Sequence, residues 1–149
     1  MFTFTEAVLL VPACVHYLQR HDDDVYRDCF TLISRKILND YLVGKRFYSH
    51  YTWTVDDWYD IPNDYFTRPL SISRYYLSKI REELMDYYCF IEYCPPHKHN
   101  FTLYPSYRLD FRSMLHNPEI IQILRTLDLP NAHDIPNISA VLHSNDSDK

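Results

Sequence analysis

Within eight residues, YCPPHKHN from Tyr93 to Asn100, the chain gathers a cysteine, two histidines and a lysine, and Cys89 lies just upstream. Thiolates and imidazoles are the usual ligands of zinc, set as four donors around one ion. The spacing argues against such a site. Cys89 and Cys94 stand five apart on a stretch that alternates like a strand, which points their side chains to opposite faces. No second Cys-x-x-Cys pair completes a ligand set. His97, Lys98 and His99, behind Pro95 and Pro96, suit a turn that carries exposed, weakly basic groups. No metal and no cofactor is expected.

Other chemistry finds little support. The many histidines and acids show no spacing that a triad or a two-carboxylate site demands. The single glycine, Gly44, excludes a Gly-rich phosphate loop, a dinucleotide fingerprint and a nucleophile elbow. Cys14 and Cys29 fall in apolar helical patterns and read as packing residues. No catalytic residue is expected, and the chain is not read as an enzyme.

At 149 residues the chain is long enough for one domain with its own core. Its longest apolar run, Ala7 to Cys14, is far short of the about 20 residues a bilayer span needs. No cationic segment precedes that run, so it is not read as a signal peptide. Four scattered cysteines fit free thiols in a reducing compartment, and the expected location is cytoplasmic, off the membrane. Net charge is −5, but it is unevenly spread. Arg68 to Arg112 hold seven Lys and Arg against five acids, while the remainder holds eight against 15. The least acidic part of the chain therefore surrounds the Tyr93–Asn100 octet.

The elements that would position these groups follow from periodicity. Thr3 and Glu6 form a capping-box pattern ahead of an apolar helix (Thr5–Gln19), with Pro12 predicting a kink or a division. Tyr26, Phe30, Ile33, Ile37 and Tyr41 recur at steps of four and three, predicting a helix over Asp23–Leu42 that ends near Gly44. Phe47–Trp53 is aromatic, either a short strand or a packed connection. Thr54, Asp56 and Asp57 suggest a short helix through Trp58, and the prolines of IPNDYFTRP suggest an irregular turn. From Ser71, an amphipathic helix has Ile72, Tyr76, Leu77, Ile80, Leu84 and Tyr87 on one side. Ser71, Arg74, Tyr75, Ser78, Glu82 and Met85 lie on the other, with Lys79 and Arg81 on the flanks. A two-stranded hairpin with its tip at Pro95–Asn100 follows. Pro118 sits at the first position of an apolar helix, Asn117–Leu127. Residues 130–149 are expected to be a loose tail.

A short helix, a turn, an amphipathic helix and a hairpin, over residues 52–112, resemble a winged helix-turn-helix domain. The resemblance implies a mostly α fold with a small β-hairpin, the winged core being flanked by helices 5–42 and 117–128 in a single domain, 1–129. It implies that Ser71, Ser73, Arg74, Tyr75, Ser78 and Lys79 face double-stranded DNA, with His97, Lys98 and His99 at the wing tip. An arginine early on such a helix can pair with guanine, and the hydroxyls and Lys79 suit phosphates. The turn between the helices is longer than that family's usual turn.

The expected function is therefore a sequence-specific transcriptional regulator, homodimeric through its outer helices, since two-fold readers are the common arrangement. The alternative is an acidic protein–protein interaction module of phage or plasmid type, an inhibitor or adaptor that keeps the same fold. In that case Asp56, Asp57, Asp60 and Asp64 would face a basic protein partner.

Overall fold

The structure, a computed structural model, describes residues 2–21, 24–96, 104–127 and 135–146. Helix α1 (Phe4–Arg20) begins at the capping box read from the sequence. The Glu6 N–H donates to the Thr3 hydroxyl at 3.2 Å, and the Glu6 carboxylate accepts from the Thr3 N–H at 3.0 Å. The division expected at Pro12 does not occur, because Pro12 is exposed and its lost backbone bond leaves no buried group unpaired by the core. Helix α2 (Asp24–Phe47) turns its stripe inward, burying Cys29, Phe30, Ile33 and Ile37.

Residues 48–58 are the packed aromatic connection, and they lead into strand β1 (Tyr59–Asp60). The short helix expected at Trp58 is absent. Thr54 and Asp57, which look like a helix cap, close a turn instead: Asp57 Oδ2 accepts from the Thr54 N–H at 2.6 Å, and the Asp57 N–H donates to the Thr54 carbonyl at 3.3 Å. The stretch read as irregular is the helix, α3 (Asp64–Leu70). Pro62 lies ahead of it, Pro69 removes only one bond near its end, and buried Phe66 anchors it. Ser71 then takes a left-handed conformation (φ 53°) and ends the helix.

Helix α4 (Arg74–Asp86) starts three residues later than Ser71, with the Ser73 hydroxyl accepting from the Tyr76 N–H at 3.0 Å. Strands β2 (Ile91–Cys94) and β3 (Ser106–Leu109) form the expected hairpin, paired Ile91 to Leu109 and Cys94 to Ser106. Strand β1 pairs with the other edge of β3, Tyr59 opposite Tyr107, so the antiparallel sheet has the order β1-β3-β2. Helices α5 (Phe111–Leu115) and α6 (Pro118–Leu127) follow, α6 capped by Asn117, whose Oδ1 accepts from the Glu119 N–H at 2.9 Å. Part of the expected loose tail is helical. In α7 (Pro136–Asp146), which packs on α6, Ile138 and Leu142 are buried. Their four-residue spacing gives the helix an inward edge that the surrounding Asn, Ser and Asp obscure.

The chain is mostly helical with a small three-stranded antiparallel sheet. One core joins the inner faces of α1, α2, α4, α6 and the sheet. Its aromatic centre holds Phe30 at 5.6 Å from Phe90, and Phe66 at 5.5 Å from Tyr107. Among the described residues no helix is long and apolar enough to cross a membrane.

Candidate nucleic-acid interface

Helix α4 divides sharply by burial. Leu77, Ile80 and Leu84 recur at three and four residues and are buried, which leaves Arg74, Tyr75, Ser78 and Lys79 exposed on the far side. Tyr75 is 83% exposed. Two tyrosines assigned to the inner side from the sequence lie outside: Tyr76 is exposed, and Tyr87, at 74% exposure, stands beyond the helix end as its cap. Among the described residues neither Arg74 nor Lys79 joins an ion pair. The first turn carries no acid, so the positive end of the helix dipole beside Arg74 is uncompensated.

The serines have other duties. Ser73 caps the helix, and exposed Ser71 closes α3. The Ser78 hydroxyl accepts from Arg81 Nη2 at 3.3 Å. His97, Lys98 and His99 lie outside the described residues. The hairpin stems that lead to them are in place.

Arg81, read as a flanking residue, is buried to 7% exposure. Its position was legible: it lies four residues after Leu77 and three before Leu84, on the inward edge. Its Nη1 donates to Asn63 Oδ1 at 2.8 Å and to the Tyr107 hydroxyl at 3.0 Å, and its guanidinium lies 4.3 Å from the Tyr93 ring centroid. One side chain thus ties α4 to the start of α3 and to both hairpin strands. Among the described residues no carboxylate pairs with it, and its Nε is buried without a partner. Burial pushes the Tyr107 hydroxyl up to about 12, with Arg81 pulling the other way. Burial likewise raises Cys29 to about 12, Asp28 adding to the shift and Arg81 opposing it. Cys14 is raised by burial too, so both buried cysteines stay as unreactive thiols near neutral pH.

The acidic cluster is engaged locally. Asp56 and Asp57 both accept from Thr54, Asp60 accepts from the Ser106 hydroxyl at 2.6 Å, and Asp64 pairs with Arg68 at 3.5 Å. Across the outer face of the sheet, Glu92 pairs with its cross-strand partner Arg108, whose guanidinium lies 4.8 Å from the Trp58 ring centroid. Cys89 and Cys94 are free thiols, and among the described residues no three His, Cys, Asp or Glu gather where they could hold a metal ion. Away from α4, a groove of about 380 Å³ runs between α1 and α2, with Val11, Val15, Leu38 and Leu42 along it.

The chain gives no significant match to a protein-family model, to a curated protein or to a solved structure.

Proposed function

We propose that the protein is a cytoplasmic, sequence-specific DNA-binding regulator of winged helix-turn-helix type, reading duplex DNA with the exposed face of α4. The observation that carries this reading is the pairing of Arg74 and Lys79, exposed and free of ion pairs among the described residues, with a helix start that holds no acid. The element order supports it. A helix, a strand, two helices and a hairpin, with the first strand added beside the last, is the winged-helix sequence of elements, and it includes a strand (β1) that periodicity did not suggest.

In this reading Arg74 contacts a base edge and Lys79 and Tyr75 contact phosphates. Arg81 touches no DNA and instead holds the helix at a fixed angle to the hairpin. Lys98, with His97 and His99, lies at the wing tip. The α1–α2 groove supports a homodimer, because an exposed apolar groove on outer helices gives a second copy a surface to bury. The acidic-module alternative loses ground, since Asp56, Asp57, Asp60 and Asp64 are all held by neighbours in the chain. Duplex binding measured against salt, for the natural chain and for Arg74→Ala combined with Lys79→Ala, tests the proposal. The affinity falls steeply with salt and the double variant is weaker throughout.

A further inference from the structure

A second surface lies where α2 ends. The nine residues from Lys45 to Trp53 hold two cations, a histidine and four aromatic rings, with no acid and no aliphatic side chain. Lys45 lies 5.8 Å from the Tyr41 ring centroid and Arg46 lies 5.3 Å from that of Phe47. Among the described residues neither cation joins an ion pair. Phe47, Tyr48 and Trp53 are 67%, 65% and 50% exposed, around an open cleft of about 570 Å³.

This exposure is built into the fold. The Tyr51 ring packs directly on Gly44, where a Cβ would stand only 2.3 Å from it. The Tyr51 hydroxyl meets that of Tyr59 at 3.1 Å, and the Tyr59 hydroxyl donates to the Thr54 carbonyl at 2.8 Å. Trp53 stands edge-on to Tyr59 at 5.4 Å between centroids, so one side of the indole is fixed while half of it meets water. A loop pinned at its centre therefore holds three large rings outward beside two unpaired cations.

We propose that this surface binds single-stranded nucleic acid, its rings stacking on unpaired bases and Lys45 and Arg46 neutralising the adjoining phosphates. Every base offers a π-face, and exposed rings beside a cationic track are what strand binding without sequence preference requires. An anionic bilayer would also attract cations and aromatic rings, but the stretch has no aliphatic side chain to bury among acyl chains. The proposal does not rest on the role of α4, since the two surfaces use different elements.

The test is a binding titration of the full chain with a short labelled oligothymidylate, with thymidine monophosphate and anionic phospholipid vesicles as competing ligands. The oligonucleotide binds at low salt, Trp53→Ala weakens it about tenfold or more, and Trp53→Phe retains most of the affinity. Lys45→Ala with Arg46→Ala lowers the logarithmic salt slope by about one to two. Circular dichroism checks each variant, and if Trp53→Ala does not fold, Trp53→Phe and the double cation variant decide the question. Absent oligonucleotide binding, unchanged binding in Trp53→Ala, monophosphate binding as tight as the strand, or preference for vesicles overturns the proposal. Arg74→Ala with Lys79→Ala leaves strand binding unchanged. If that variant alone loses the oligonucleotide, the strand sits on α4 and the second surface is refuted while the first reading stands.

Discussion

Arg81 sits where the sheet, α3 and α4 meet, and two opposing effects act on it. A cation with no acid beside it is expensive to bury. Against that cost stand three hydrogen bonds and the Tyr93 ring. Arg81→Met keeps most of the volume and removes the charge, yet leaves Asn63 and the Tyr107 hydroxyl without their donor. The lost bonds are worth about 1–3 kcal/mol, enough to decide the sign if the desolvation cost is offset by the ring. The variant is therefore expected to unfold at lower urea with an unchanged slope, and to bind duplex DNA more weakly although Arg81 is buried. A variant as stable as the natural chain, with unaltered binding, would show that Arg81 does not set the position of α4. Sequence reasoning placed Arg74 and Lys79 on the outer face and missed Arg81, because a lone arginine is assumed to be solvated when its buried partners are 18 and 26 residues away.

At the scale of elements, Gly44 offers a substitution on which two rules disagree. Inside a helix, replacing glycine by alanine should stabilise by about 1 kcal/mol. Here the added methyl meets the Tyr51 ring at 2.3 Å, and the ring can leave only by giving up its bond to Tyr59. Overpacking typically costs about 1–3 kcal/mol, so Gly44→Ala is expected to lower the melting temperature. A raised melting temperature would mean that the connection does not rest on this contact. The same contact explains what was legible here. The long helices, the capping box, the hairpin stems and the Pro118 start all follow from local spacing, and they stand where the sequence put them. The helix predicted at Trp58 and the turn predicted at Asp64–Leu70 exchanged characters. Thr54 and Asp57 make a local turn that imitates a cap, while Pro62 and Pro69 sit at helix positions that tolerate proline. Strand β1 is two residues long and exists only because β3 has a free edge, a fact no local pattern carries.

Over the whole molecule, the tyrosines report on the core. Burial raises Tyr107 to about 12 and raises Tyr59 as well, its hydrogen bond to Tyr51 adding to the shift. An unfolded tyrosine loses its proton near pH 10, so between there and the folded value the native state binds more protons than the unfolded one. Stability from this source is complete below about pH 10 and falls as pH rises through the folded values. Urea midpoints taken across the alkaline range should drop together with the appearance of the last phenolates, and a flat profile would contradict the buried placement of both rings. The account as a whole rests on α4 presenting two unpaired cations to a polyanion. Its most direct test is the logarithmic salt dependence of duplex affinity, compared between the natural chain and Arg74→Ala with Lys79→Ala. The account predicts tight binding at low salt and a slope shallower by about two in the double variant, one counterion release for each lost phosphate contact. Identical slopes, or a natural chain that ignores duplex DNA at low salt, would contradict it.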